Sequence, residues 1–420
     1  MSAFRKARMA DLCEITSSKR IFAADYVSEG VPFYRGKEIT EKYKGSLDVS
    51  TELFITEEKF SEIERKFGAP RKGDLLLTSV GTLGSPYVVK PGERFYFKDG
   101  NLTWFRHFQE LDSKFLYYWL VAPQGKAELQ KCTIGSSQSA FTIVLLKGME
   151  IELPPLPVQR RIAGILSTYD ELIENNQRRI RILEDMARSL YREWFVHFRY
   201  PGHESVPLVD SPLGQIPQGW EVVPFTEIAD VLSGGTPKTD IADYWNGEIP
   251  FFTPRDAPDS FYVQDADKHV TELGISKCAS QLYAPDTVFI TARGTVGKVS
   301  LPSVPMAMNQ SCYALRGKAG ISQRFLFLMT LQQVDYLKTN TGGATFDTIV
   351  VDTFRRMQVI KPSLELIAQF TSRIDAVFEQ VNTLERQTTN LRCTRDLLPR
   401  LLSGQIDVAT TKTLIEEAIA

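Results

Sequence analysis

The chain has 49 lysines and arginines against 51 aspartates and glutamates in 420 residues, a formal charge of −2. That balance excludes a protein that holds nucleic acid by bulk positive charge, so any such surface must come from local segregation. Its 43% hydrophobic and 24% charged residues are those of an ordinary globular chain, long enough for two to three domains. No run of about 18 apolar residues offers a membrane span. Arg5, Lys6 and Arg8 near the start have no apolar region behind them, so no secretory signal is expected and the location should be cytoplasmic.

The first module, residues 1–153, mixes β-type runs at Asp74–Val80 and Tyr87–Lys90 with helical stretches at Glu57–Phe67 and Lys114–Val121. Its turns are dense in Gly, Pro and Asp, which reads as α+β. The proline cluster at 154–157 marks the entrance to a long helix over Gln159–Phe195. Ile162, Ile165, Leu166, Tyr169, Leu172, Ile173, Ile180, Leu183, Met186, Ala187, Leu190, Tyr191 and Trp194 recur there at alternating three- and four-residue steps. Such spacing is that of a coiled-coil seam. The helix with its proline entrance occupies 154–200, and a Pro- and Gly-rich linker follows over 201–212.

The second module, residues 213–361, has β-type runs at Thr287–Ala292 and Gln358–Lys361 and a helical stretch at Gln323–Asn340. A second long helix runs over Ile367–Leu402 within 362–404, with Phe370, Ile374, Val377, Val381, Leu384, Leu391, Leu398 and Leu402 on one face. Pro399 should end it about a turn early. Neither helix can bury its seam alone, so an antiparallel pair is expected. The tail 405–420 carries no readable signal.

The second module repeats the first. Leu75-Leu76-Leu77-Thr78-Ser79-Val80-Gly81-Thr82-Leu83-Gly84 returns as Val288-Phe289-Ile290-Thr291-Ala292-Arg293-Gly294-Thr295-Val296-Gly297, with Thr78 and Thr291 offset by 213 residues. Val31-Pro32-Phe33-Tyr34 returns as Ile249-Pro250-Phe251-Phe252, and Met149-Glu150-Ile151 as Met357-Gln358-Val359. Similar modules held at a set separation suit a bipartite DNA target, because base-edge contacts carry information only in a fixed register. Since Arg293 and Lys298 stand where the first module has Val80 and Ser85, the two should read different sequences.

Arginine pairs bidentately with guanine, and asparagine or glutamine with adenine. On that chemistry Arg35, Lys37, Gln138, Arg255, Arg293, Asn309 and Gln310 are candidate DNA contacts, set against the plainer reading of solvated loop charge. Thr82, Thr295 and Lys298 join them through the two Gly-Thr-x-Gly turns, which also read as a shared structural turn. The Arg293-to-Lys298 stretch lacks the first Gly and the Ser/Thr of a phosphate-binding loop, so nucleotide binding is rejected. Pro154-Pro155 is flanked by Leu153 and Leu156 and makes no adenine methyltransferase motif. No nuclease or Ser/His/Asp set appears. The five cysteines and four histidines are scattered, so buried reduced thiols and no metal site are expected.

Four stretches together resemble one family: Leu153-Pro154-Pro155-Leu156-Pro157-Val158-Gln159-Arg160-Arg161, Ser189-Leu190-Tyr191-Arg192-Glu193-Trp194-Phe195, Ile216-Pro217-Gln218-Gly219-Trp220 and Arg395-Asp396-Leu397-Leu398-Pro399-Arg400-Leu401-Leu402-Ser403-Gly404. Across essentially the whole chain this looks like the DNA specificity subunit of a type I restriction-modification system. The resemblance implies an α+β fold of two target recognition domains separated by an antiparallel pair of coiled-coil helices. It also implies helices that fix the gap between half-sites and bind the modification (methyltransferase) and restriction subunits. Gln159, Arg160, Arg178, Arg181, Arg188, Arg192, Arg395 and Arg400 are the corresponding partner-binding candidates, although a solvated face with pairs to Glu171, Glu174, Glu184 and Asp185, or contact with phosphate, would explain the arginines of the first helix too. The chain itself should be non-catalytic and free of cofactors, with S-adenosylmethionine, ATP and Mg on the partner subunits. The first module departs from the pattern by lacking the Pro-x-Gly-Trp lead of the second. The rival expectations are a stand-alone methyltransferase or nuclease, and a coiled-coil assembly protein.

Overall fold

The computed structural model describes residues 4–46, 49–135, 139–318, 320–340 and 348–397. Gln138, Pro399, Arg400, Leu398, Leu402 and the tail lie outside them.

In the first module the run Leu75–Thr78 is buried on both faces and forms an inner strand of a four-stranded antiparallel sheet. Its neighbours are Leu102–Arg106, with Glu14–Thr16 beyond, and on the other side Pro86–Val88. The strand is shorter than its apolar run because both ends are pulled out of the ladder. Asp74 is held in a turn, accepting N–H groups from Arg71 (3.0 Å) and the Trp104 indole (2.9 Å). At the other end the Ser79 N–H donates to Asn101 O (2.8 Å). A second small sheet joins Tyr26–Val27, Phe54–Ile55, Val31–Tyr34 and Tyr96–Phe97 in that order. Helix Glu57–Phe67 has the predicted limits. The Thr56 hydroxyl accepts the Lys59 N–H (3.2 Å) at its start, and Gly68 at φ +85° closes it.

The second module has a five-stranded sheet in the order Ala229–Ser233, Cys312–Gly317, Val288–Thr291, Val299–Pro302, Tyr262–Val263. Val288–Thr291 is fully buried, as its counterpart in the first module is. Each module is closed by an antiparallel pair of matching register: Arg5–Arg8 on Glu150–Leu153, and Glu221–Pro224 on Gln358–Lys361. The register pairs Arg5 with Leu153 and Glu221 with Lys361, so Phe4 stands where the second module has Trp220.

The first long helix runs Leu156–Phe195, 40 residues or about 60 Å, and the second Leu364–Leu397, 34 residues or about 51 Å. Both begin three residues before the expected start. Pro157 sits in the first turn, where its missing N–H costs nothing, and Pro155 O accepts the Val158 and Gln159 N–H groups. Ser363 caps the second helix, its hydroxyl accepting the Leu366 N–H (3.3 Å).

The helices pack antiparallel. Tyr191 and Trp194 meet Phe370 at ring-centroid distances of 6.0 and 5.5 Å, and Asp170 pairs with Arg395 at 2.8 Å. The seam needs two corrections. Met186 is exposed, while Phe378, not among the expected seam residues, is fully buried against Phe261 and Phe327. A helix that also carries a globular module buries a wider stripe than a two-helix seam demands.

Two compact units divide the chain, one running to Glu174 and taking up the chain again from Asn390, the other Asn175–Thr389. Each has its own core. The first packs Phe105, Phe115, Leu116 and Leu120 on Ile162, Leu166 and Tyr169. The second packs Phe225, Phe325 and Phe327 on Tyr191, Phe370 and Phe378. Truncating a residue such as Phe370 to alanine would cost about 3–5 kcal/mol. Among the described residues no helix is long and apolar enough to cross a membrane, and no three His, Cys, Asp or Glu side chains group as metal ligands would. Cys13, Cys132 and Cys312 are buried free thiols, but Cys278 is half-buried and Cys393 exposed, so burial does not extend to all five.

Candidate nucleic-acid interface

The two Gly-Thr-x-Gly turns are one structure built twice. Thr78 O accepts the Gly84 N–H (2.9 Å) and its hydroxyl accepts the Ser85 N–H (2.9 Å). Thr291 does the same for Gly297 (2.8 Å) and Lys298 (2.9 Å). Gly81 and Gly84 lie at φ +80°, Gly294 and Gly297 at +80° and +77°, a region that strains residues with a Cβ. A Cβ on Gly81 would meet nothing within 4 Å, so backbone sign rather than space selects the glycine there. The turn holds itself together from within, and its tips, Thr82 and Thr295, are exposed.

The loops beside each turn are fastened by equivalent bonds. Ser79 donates its N–H to Asn101 O and accepts the Phe141 N–H (3.0 Å); Ala292 donates to Ser311 O (2.8 Å) and accepts the Ile349 N–H (3.0 Å). A side chain on Gly36 would lie 3.8 Å from Val80 O, and one on Gly294 would lie 4.0 Å from Pro254, the neighbour of Arg255. In the second module these contacts, with the Asn309 N–H on Phe252 O (3.0 Å) and the Arg293 N–H on Ser311 O (3.3 Å), put the segments carrying Arg255, Arg293, Thr295, Asn309 and Gln310 side by side on one rim.

The candidates differ in what they are free to do. Arg255 and Arg293 are exposed and make no ion pair among the described residues. Gln310 is exposed, its side-chain oxygen accepting the Thr236 hydroxyl. Asn309 is partly committed, its side-chain oxygen taking the Ser311 N–H (3.0 Å). Lys298 is tied to Asp259 (2.6 Å). Lys37 is exposed, 4.0 Å from Glu41. Arg35 turns inward: its backbone N–H and guanidinium both donate to the buried Glu38 (2.8 and 3.0 Å). Burial would raise the Glu38 carboxyl, but the Arg35 hydrogen bonds hold it below its ordinary range. An outward base contact by Arg35 would have to break that pair.

The partner candidates also separate. Arg160, Arg178, Arg181 and Arg192 are exposed on the first long helix. Gln159 is not available to a partner, being completely buried. Its side-chain oxygen accepts the Asp112 N–H (2.8 Å) and its amide donates to Glu110 O (2.9 Å) and Pro154 O (2.8 Å). Arg188 lies over the Phe261 ring (4.7 Å) and pairs with Glu184 (3.2 Å) and Asp185 (3.1 Å). Arg395 is committed to Asp170 and Asp396.

Glu184 was readable in the sequence only as a surface partner for arginine. It is buried, and its carboxylate accepts the Phe261 N–H (2.6 Å), joining the second module to the first long helix. Burial pushes its pKa up to about 7, against the opposing pull of the Phe261 N–H and Arg188; Glu385 adds to the rise. Arg20, Asp99 and Thr236 were also missed, although each is on a segment fastened to a rim loop. The offset between Arg20 and Thr236, 216 residues, matches that between Arg5 and Glu221 and was the available signal.

One α+β scaffold present twice, with unlike side chains on equivalent rims and each copy fastened to paired long helices, defines a tandem-module protein. The model of the type I restriction modification DNA specificity domain matches residues 1–185 and again 217–390, and the chain belongs to that family. The HindI specificity subunit of Haemophilus influenzae is 23% identical over 413 residues, which cover 80% of this chain and 87% of that protein. The MjaIX specificity subunit of Methanocaldococcus jannaschii is 29% identical over 177 residues; these cover 40% of this chain, which spans only 41% of that relative's length. The crystal structure of a type I restriction-modification S subunit from M. genitalium has the same fold, with a TM-score of 0.63 at 17% identity, covering 95% of this chain and 96% of that one.

Proposed function

We propose that the chain is the sequence-specific DNA-binding subunit of a type I restriction-modification complex, recognising a bipartite, asymmetric site. Each module reads one half-site. The paired helices set the gap and carry the methyltransferase and restriction subunits, and the protein works in the cytoplasm. The observation that carries this reading is the repeated hydrogen-bond frame around Thr78 and Thr291, with Arg255 and Arg293 on one rim and Arg35 and Lys37 on the other. A common frame presents loops at a common angle, and unlike side chains on it make the two half-sites different. The exposed arginines Arg160, Arg178, Arg181 and Arg192 form the part of the first helix best suited to a partner subunit.

On this reading the chain performs no chemistry. S-adenosylmethionine belongs to the methyltransferase subunit, and ATP with Mg to the restriction subunit. The test is to express the chain with its methyltransferase and map the modified adenines. The expected motif is two short unlike elements separated by unspecified bases. An ungapped or palindromic motif, or methyl transfer by the purified chain alone, would overturn the reading.

A further inference from the structure

The first module holds an arginine on its rim whose geometry differs from that of the described candidates. Residues 17–20 follow the edge strand Glu14–Thr16 and are bolted along the turn 96–102. The Ser17 hydroxyl donates to Leu102 O (3.2 Å) and that of Ser18 to Phe97 O (2.7 Å). The Lys19 N–H donates to the hydroxyl of Tyr96 (2.8 Å), a fully buried residue. The same turn carries Asn101, whose carbonyl holds Ser79 at the root of the Gly81 turn. Arg20 is therefore fixed to the rim.

Its side chain is fixed as well. The Arg20 Nε donates to Asp99 Oδ2 at 2.8 Å, with the arginine side chain 67% exposed and the aspartate 19%. A guanidinium held through Nε has its side edge on the carboxylate, and the outer edge between its two terminal nitrogens keeps a parallel pair of N–H donors. That is a donor pair matched to the O6 and N7 acceptors of guanine in the major groove. A backbone phosphate could also accept it, but attraction to phosphate depends on net charge, and the adjacent carboxylate offsets the charge of Arg20 while leaving its directional donors intact. The second module has a neutral pair at the equivalent place, Thr236 with Gln310.

We propose that Arg20, oriented by Asp99, reads a guanine in the half-site of the first module. The inference rests on the two-reader function above and adds one base and one residue to it. The experiment uses the full chain in complex with its methyltransferase and a DNA library randomised across both half-sites. Arg20→Ala should lower the preference for guanine at one position of one half-site by at least about tenfold, with the other half-site unchanged. Asp99→Asn should reduce that preference less, while raising affinity for all sequences because a negative charge has gone. Arg20→Lys should behave as Arg20→Ala does at that position, since lysine lacks the planar fork.

A uniform loss over all sequences with a salt dependence shallower by about one charge would mean phosphate contact and overturn the proposal. So would an unchanged motif in folded Arg20→Ala protein, folding being checked by its melting temperature. Replacing residues 1–153 by another module separates the two levels. If the replacement changes one half-motif but Arg20→Ala does not, only the guanine assignment fails; if the replacement changes neither half, the two-reader function fails.

Discussion

In the first module the rim arginines are paired, Arg20 with Asp99 and Arg35 with Glu38, whereas in the second Arg255 and Arg293 make no ion pair among the described residues and the equivalent inter-loop bond is neutral, Thr236 with Gln310. The backbone bonds beneath them are nevertheless the same, from Thr78 and Thr291 outward. Frame and rim are thus separable: the frame depends on glycine conformation and a threonine, and neither constrains the exposed side chains. The attachments to the helices differ in kind. The first module uses a neutral amide, Gln159, with every polar atom satisfied, while the second uses a buried carboxylate, Glu184, that carries a desolvation penalty.

The strongest way to break the comparison is to exchange residues 213–361 for another module of the family. One half of the recognised motif should be replaced and the other retained, read from modified adenines; a change in both halves would show that the frames are not independent. Next comes Gln159→Ala, which strands the Asp112 N–H and two carbonyls. It should destabilise the first unit by on the order of 3 kcal/mol, measured as a shift of the urea midpoint.

The buried Glu184 gives a smaller effect with a sign that depends on pH. Its folded pKa, about 7, lies above the ordinary carboxylate value, so between that value and 7 the unfolded chain holds fewer protons than the folded one. Stability therefore falls as pH rises through this window, and the penalty is complete above it. Glu184→Gln keeps an acceptor for the Phe261 N–H and removes the charge. It should raise stability by about 1–2 kcal/mol at pH 8 and have little effect at pH 4, followed by tryptophan fluorescence during unfolding. Destabilisation at pH 8 would show that the Arg188 pair outweighs the burial of charge. The smallest effect sharpens the shared frame: Gly81→Ala and Gly294→Ala should each cost about 1 kcal/mol, because both glycines lie at φ +80° and a Cβ clashes at neither, meeting nothing within 4 Å at Gly81 and only Pro254 at 4.0 Å at Gly294.

Much of the fold was legible in the residues. The repeat at an offset of 213, the helix limits at Glu57–Phe67 and Gln323–Asn340, and the long seams all follow from local periodicity and caps. Candidate site residues were legible only as residue types in loops or on a helix. Arg293 and Arg255 proved to be exposed neighbours, but Gln159 and Arg35 are turned inward by partners distant in sequence or by a buried acid. Nothing in the local pattern distinguishes a loop arginine that has found a carboxylate from one that has not.

Sequence alone was enough for duplication, secondary structure, helix pairing and family, because these depend on periodicity, turn chemistry and short motifs that act over a few residues at a time. Only the tertiary structure decided that Phe378 belongs to the seam and Met186 does not, that Glu184 is a buried clamp on Phe261, and that Asp99 accepts the Arg20 Nε–H. Burial and hydrogen-bond partnership are set by segments tens to hundreds of residues away, and a side chain's chemistry changes with the company it keeps.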